Sequence, residues 1–538
     1  MSVVHSFRRH SDNSFILLVT VCLLVFVQDT TAEWLNHGGD IANRRNAAGE
    51  ILINPMSVKN NKLRLRWRFR PGFDVSATPA VFNGAVYFPS WNGFLYAVRE
   101  QDGSLIWQQD LGQLTQLQAP VGSAVNVSVS RSTPTIAGDL LIVGIYGPAV
   151  VIAVRRLTGQ LVWLTQLDPN PRAIITVSGT YFLGSFYVGV SSLEETLPAT
   201  QCCTFRGSMV NLDARTGRIL WQTYTVPGNG GNLGGYSGAA IWGSSPAIDI
   251  GRRLVLVGTG NLYTAPQQVL DCQEAQNNQT TPPTAPDACV PPDVYYDAIV
   301  AFDLFSGTIR WSKRLGGYDV FYFACLVPNN PDCPTGPNPD ADFGEAPMLI
   351  TIKSNGRLRD VAVAVQKSGF AWALDRDNGD IVWFTKAGPG SVAGGGIWGA
   401  ATDGKRVYTN IVNNDRVPFN LAPSTQTTTA GAWVAMDANT GQILWTTANP
   451  SNDTSNGPVT IVNGVLFAGS VAPNGPFYGM DATTGQIIWS YDTGATIYGG
   501  ASANNGCVFV GNGYSIGFAK LFHPTWTSGN SVLALCVL

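Results

Sequence analysis

The sequence predicts an all-β protein, an eight-bladed β-propeller, on three observations. One repeat runs along nearly the whole chain, each end of the chain carries half of that repeat, and the composition suits short strands and tight turns. The repeat has the form Ala-apolar-Asp-x-x-Thr-Gly-x-apolar-apolar-Trp, and its seven copies end at Trp107, Trp163, Trp221, Trp311, Trp383, Trp445 and Trp489. Self-similarity of this kind marks a repeat architecture.

The chemistry of the unit explains its form. Alternating residues before the Asp make a strand. Asp and Thr-Gly then make a hairpin turn, the Asp side chain bonding backbone amides and the Gly accepting positive φ. The second strand carries the Trp outward to a neighbour. A further strand pair lies upstream of each unit, as in residues 79–88, giving four strands per repeat. Radial repetition of four-stranded sheets makes a propeller and protects its edges. A Trp that buries about 150–250 Å² contributes at most about 4–6 kcal/mol at about 25 cal/mol/Å². These Trp residues are therefore structural. At the C-terminus, 531–536 reads as the strand before the turn, and near the start 62–67 reads as the strand after it. Joined, they make an eighth blade with strands from both termini. The largest insertion lies between Trp221 and Trp311, and its Pro- and Asn-rich part, 264–292, reads as a long surface loop.

The composition agrees, with 59 Gly and 15 Trp but only 13% charged residues in 538. A net charge of -3 gives no footprint for nucleic acid or an anionic membrane. Arg8 and Arg9, an apolar run from Phe15 to Val27 and small residues ending at Ala32 read as a signal peptide, 1–32. The run is short for a membrane span, and no other stretch of the mature chain approaches one. A 33–61 N-terminal arm and a 62–538 propeller follow, in a secreted protein (periplasmic in a bacterial source). Of nine cysteines, Cys22 lies in the leader, and eight remain. An even number in an exported chain suggests disulfides. Sequence proximity favours Cys202–Cys203, Cys272–Cys289, Cys325–Cys333 and Cys507–Cys536, without fixing the connectivity. Sequons stand at Asn126, Asn278 and Asn452. With only His37 and His523 left after cleavage and no C-x-x-C-H, neither a His-based zinc site nor a c-type haem is available.

The Trp-containing repeat resembles the pyrroloquinoline quinone (PQQ) repeat, shared by dehydrogenases and by non-catalytic scaffold propellers, and so speaks for fold rather than function. Residues 33–45, opening on Glu33-Trp-Leu-Asn-His-Gly-Gly-Asp, look like the N-terminal arm of quinoprotein alcohol dehydrogenases. Within that family the chain is most similar to the polyvinyl-alcohol-dehydrogenase-like proteins. The resemblance implies PQQ on the propeller axis beside a Ca²⁺, an Asp that takes the proton of an alcohol substrate, hydride transfer to the quinone, and an external electron acceptor. Hard oxygen ligands suit Ca²⁺, while the protein places base, ion and ring against the substrate carbon.

The same resemblance assigns individual residues. Glu194 and Asn261 stand where the family keeps calcium ligands, and Thr176 and Ser191 where hydroxyls bond PQQ. Trp242 matches the floor under PQQ and lies outside the blade repeat. Asp342, in Asp340-Ala-Asp342-Phe-Gly, matches the catalytic base, can also touch the ion, and has Asp340 as its rival. Lys367 matches the basic residue at the quinone oxygens, where a cation stabilises developing charge. Arg131 matches an Arg that pairs with a PQQ carboxylate through its fork. Adjacent Cys202 and Cys203 are similar to the vicinal disulfide that covers PQQ in methanol dehydrogenase, though they fall later in the chain. Ile397 and Ala341 depart from the Asn and Trp usual at those points. The alternative is a secreted propeller that binds protein or glycan without redox chemistry. The joint presence of Trp242, Glu194, Asn261, Asp342 and Lys367 argues against it.

Overall fold

The computed structural model describes residues 33–537, apart from 60, 120–124, 277–286, 337 and 355. The leader and the sequon at Asn278 lie outside the described residues. Eight antiparallel sheets follow one another around a ring, seven of four strands and that of blade 3 with the short strand Ala173–Ile174 as a fifth. Blades 1 to 7 span 80–110, 135–166, 180–224, 247–314, 348–386, 401–448 and 460–492. Blade 8 takes three strands from 501–537 and its outermost from Leu63–Phe69, which pairs antiparallel with Ser531–Val537. The two half-repeats therefore meet as the sequence predicts. First strands of neighbouring blades touch one another around the axis.

The repeat does its work between blades. Each Trp indole donates across the gap to a backbone carbonyl in the next blade, as in Trp107 Nε1 to Arg156 O (2.9 Å) and Trp383 Nε1 to Ala438 O (3.0 Å). The eighth Trp is Trp67, which donates to Glu100 O of blade 1 at 2.8 Å and so closes the ring. The glycine of the next blade's Thr-Gly turn lies flat against that indole. At Gly217 and Gly441, for example, φ is 74°, and a β-carbon would fall 2.6 and 2.5 Å from the rings of Trp163 and Trp383. Glycine is thus required twice over, by the turn and by the neighbour.

The insertion between the second and third strands of blade 4 is less of a loop than its composition suggests. It contains a ten-residue helix, Gln267–Gln276, tied back by the Cys272–Cys289 disulfide. The other three proximal cysteine pairs are bonded as well. Among the described residues no helix is long and apolar enough to cross a membrane.

The N-terminal arm does something no local pattern announces. It visits the blades in order. Trp34 bridges Val81 of blade 1, Leu35 O accepts from Ile136 N of blade 2, and Asn36 Nδ2 donates to Thr180 Oγ1 of blade 3. Ile41, Ala42 and Arg44 carbonyls then accept from Ile248, Leu349 and Thr402 of blades 4, 5 and 6. Arg45 and Ala47 share Ile461 of blade 7, and Glu50 accepts from Gly506 N of blade 8 at 2.8 Å. The arm is a loop inside the ring, and it closes one end of the axis.

Candidate functional site

The other end of the axis opens into a cavity of about 580 Å³, within the roughly 300–1,000 Å³ usual for small-molecule sites. Trp242, Asn261, Asp340, Asp342 and Lys367 come together on its wall, with Arg131, Thr176 and Ser191 also contributing to it.

Asp342 is the best-anchored of these groups. Its Oδ1 accepts from Asn261 N at 2.6 Å and its Oδ2 from Trp242 Nε1 at 2.8 Å. Lys367 Nζ lies 3.3 Å from Oδ2 and 2.9 Å from Asp340 Oδ1. The ammonium also sits 5.2 Å from the centre of the Trp242 ring. Burial alone would lower the Lys367 ammonium, but Asp340 and Asp342 outweigh it and hold the group above its ordinary value. Asn261 Nδ2 donates to the carbonyls of Leu262 and Phe321, each at 2.7 Å. The oxygen is therefore what this amide has to offer a cation. Thr176 Oγ1 donates to Trp242 O at 2.8 Å and so fixes the backbone carrying the indole. Trp242 meets Trp398 edge-on at 5.0 Å, and the Arg131 guanidinium lies 4.5 Å from the Trp398 ring while donating to the Tyr514 hydroxyl at 3.1 Å.

Two expectations are corrected by the geometry. Glu194 is buried and is consumed by a turn: its carboxylate accepts from Thr204 N (2.8 Å), Thr204 Oγ1 (2.9 Å), Phe205 N (2.5 Å) and Asn170 Nδ2 (3.2 Å). It does not reach the cavity wall; the next residue, Glu195, does. In the short 3-10 turn Glu194–Thr196 the two carboxylates point different ways, and residue type alone cannot say which faces the axis. The Cys202–Cys203 disulfide is also absent from the wall. It packs in the hydrophobic core with Phe205 and Tyr263, and Tyr263 and Ala240 of that cluster face the cavity.

The sequence reading also missed two carboxyls behind the wall. Asp319 is fully buried, and its oxygens accept from Asp340 N (3.2 Å) and Ala341 N (2.6 Å), holding the segment that leads to Asp342. Asp297 is fully buried beside it. Burial, reinforced by Asp319 and Asp342, pushes the Asp297 carboxyl well above its ordinary range. Burial likewise raises Asp319 to about 7, with Asp342 adding to it and the Ala341 amide opposing. At Glu195, burial and Asp342 raise the carboxyl to about 7 against Lys367. Asp340 is pushed well above its range by burial and by Asp342, Asp319 and Glu195, with Lys367 opposing. Asp340 also has φ 56°, Asp297 43° and Trp398 70°, left-handed conformations that cost a side-chain-bearing residue roughly 1–2 kcal/mol and that cluster at functional sites.

The corner is thus crowded with carboxyls facing the Lys367 ammonium. Among the described residues, no three His, Cys, Asp or Glu side chains form a finished metal shell. The donor set nevertheless fits a hard cation, since it is made of oxygens and holds more carboxyl groups than the Lys367 ammonium can keep ionised. Thr176, Ser191, Arg131 and Lys367 beside the Trp242 indole also suit a flat, anionic ring system.

Two dehydrogenases are similar to this chain in sequence. A polyvinylalcohol dehydrogenase of Pseudomonas sp. is 28% identical over 400 residues, covering 71% of this chain and 55% of its own. One from Sphingopyxis sp. is 29% identical over 503 residues, covering 87% and 69%. The chain is similar, at lower identity, to a quinohemoprotein alcohol dehydrogenase of Pseudomonas putida, 24% identical over 437 residues, covering 76% of this chain and 54% of that one. It spans little more than half the length of the Pseudomonas sp. relative. Among solved structures, the quinohemoprotein alcohol dehydrogenase of Comamonas testosteroni superposes with a TM-score of 0.69 at 19% identity, over 96% of this chain and 82% of that one. A europium-containing methanol dehydrogenase gives 0.68 at 16% identity, over 96% and 100%. These two likenesses establish the shared propeller. The family model described as outer membrane protein assembly factor BamB matches residues 367–521.

Proposed function

We propose that this protein is a secreted quinoprotein that oxidises an alcohol, with PQQ and Ca²⁺ in the axial cavity and an external electron acceptor. The observation that carries the reading is the convergence of Asp340, Asp342, Lys367, Asn261 and Trp242 on one wall, in a chain similar to polyvinylalcohol and quinohemoprotein alcohol dehydrogenases. When bound, the quinone supplies the hydride acceptor and the ion the Lewis acidity.

The chain's own residues divide the remaining work. Asp342, already gripped by an amide and an indole N–H, is a fixed anion suited to hold the ion with Asn261 and Glu195. The sequence reading makes Asp342 the base and Asp340 its rival; here the base is assigned to Asp340 instead, since burial and neighbouring carboxylates raise it and a base gains driving force as its pKa rises toward the working pH. Lys367 sits beside both and balances charge that develops nearby. Arg131, Thr176 and Ser191 orient the cofactor, and the aromatic wall excludes water.

Reconstitution tests the reading. Purified protein is mixed with PQQ and Ca²⁺, and tryptophan quenching and dye reduction by alcohols are followed. Saturable quenching with alcohol-dependent dye reduction is expected. Absence of both would return the chain to the class of non-catalytic propellers.

A further inference from the structure

The mouth of the cavity is bridged. Phe323 stands on the 3-10 turn Phe323–Leu326, in the long connection between blades 4 and 5. Phe522 ends the short helix Gly517–Phe522, inside the connection between the second and third strands of blade 8. Blade 8 lies across the ring from blade 4, yet the two phenyl rings meet edge to face with centres 5.7 Å apart, and both belong to the cavity wall. Each loop is anchored separately. The Cys325–Cys333 disulfide closes the first just beyond Phe323. In the second, His523 stacks on Trp526 at 3.9 Å, and Trp526 packs against Tyr498 at 5.4 Å. Leu326, Val392 and Ile516 add apolar side chains to the same wall, and His523, next to Phe522, is held in its stack on Trp526.

We infer that Phe323 and Phe522 form a two-sided aromatic gate that admits a slender alcohol with an apolar chain and turns away branched and polyhydroxylated ones. This rests on the alcohol-oxidising reading above and names the substrate class for it. An alcohol whose hydroxyl reaches Asp340 must leave its chain between the two rings. A hydroxyl on that chain would lose its water with no partner there, a cost of about 1–3 kcal/mol by protein measurements. The rings touch, so any chain must part them, and a branched chain must part them further than a linear one. A polymer carrying hydroxyls along its length is disfavoured on both counts, in contrast to what the names of the polyvinylalcohol dehydrogenase relatives describe for those proteins.

The test uses the full mature chain and two readouts. In the first, kcat/KM is compared for 1-hexanol, 2-ethyl-1-hexanol and a polyvinyl alcohol oligomer, before and after Phe522→Ala and Phe323→Ala. The preference for 1-hexanol is expected to shrink about tenfold or more in either variant, the scale on which an apolar pocket discriminates. An unchanged preference would overturn the gate. The second readout needs no activity. Ser191→Cys places one unpaired thiol on the cavity wall, and its labelling by N-ethylmaleimide is compared with that by a fluorescein maleimide. Adding Phe522→Ala should speed the bulky reagent about tenfold relative to the small one. Equal ratios in both backgrounds would remove the gate whatever the turnover. A changed ratio without any alcohol oxidation would sink the alcohol reading and keep the gate.

Discussion

At the closed end of the axis, Arg45 is fully buried and donates to the carbonyls of Val459, His37 and Ala501 and to the Thr460 hydroxyl. Glu345, on the same side, accepts from Val365 N and Ala400 N at 2.8 Å each. His37 joins them through Trp398 O at 2.6 Å. At the open end, Lys367 faces Asp340 and Asp342, with Glu195, Asp297 and Asp319 close enough to disturb them. The difference is one of completion. The closed end satisfies its charge with backbone and hydroxyl groups from this chain, whereas the open end keeps more carboxyl groups than its one ammonium can hold ionised, on a wall that a ligand can reach. Buried charge that is fully hydrogen-bonded closes a structure; buried carboxyls in excess of their cations ask for a partner.

The contrast can be broken at either end. The largest effect belongs to the open end: Asp340→Asn should lower kcat about 10²–10⁴-fold, the usual scale for a lost general base, while leaving thermal stability intact or raised. A variant retaining full turnover would remove Asp340 from the mechanism. At the closed end, Arg45→Met should cost about 3–5 kcal/mol, the scale for removing one member of a buried charged network, seen as an earlier denaturant midpoint. A loss of stability as small as at a surface site would contradict the clasp role of the arm.

Acidity separates the two ends next. Burial, then Arg45, holds His37 down at about 3, against the Trp398 carbonyl. Its folded value lies below the unfolded value near 6.5, so this contribution to stability is complete above about 6.5 and is lost as pH falls toward about 3. His37→Gln should flatten that acid limb in thermal melts, and an unchanged limb would assign it elsewhere. The smallest effect sharpens the choice between neighbouring carboxylates. Glu194→Gln should cost about 1–3 kcal/mol of stability through its turn and spare ion affinity, whereas Glu195→Gln should do the reverse. Equal effects on calcium affinity would erase the distinction.

The blades were legible because each depends on a short local signal repeated many times: Asp and Thr-Gly for the turn, Trp for the contact with the next blade. Ring closure was legible because the half-units at 62–67 and 531–536 complement each other. The wall residues Trp242, Asn261, Asp342 and Lys367 were legible only through family resemblance, since no spacing along the chain brings Asn261 beside Asp342. What stayed hidden depends on direction. Glu194 and Glu195 differ by one step of a tight turn, and Asp297 and Asp319 look like ordinary loop acids until burial places them behind the wall. The path of the arm around all eight blades is a property of the closed ring, and no segment of 33–50 encodes it alone.

Thermal unfolding of the PQQ-free protein with and without Ca²⁺, at pH 8 and at pH 5.5, tests the central claim most directly. Glu195, raised to about 7, is more ionised at the higher pH than at the lower. Ca²⁺ at about a hundred times its Kd should therefore add about 2.7 kcal/mol at pH 8 and much less at pH 5.5, with the gain lost in Asp342→Asn. A melting temperature indifferent to Ca²⁺ at pH 8 would mean that the open end is as complete as the closed one, and the account would fail.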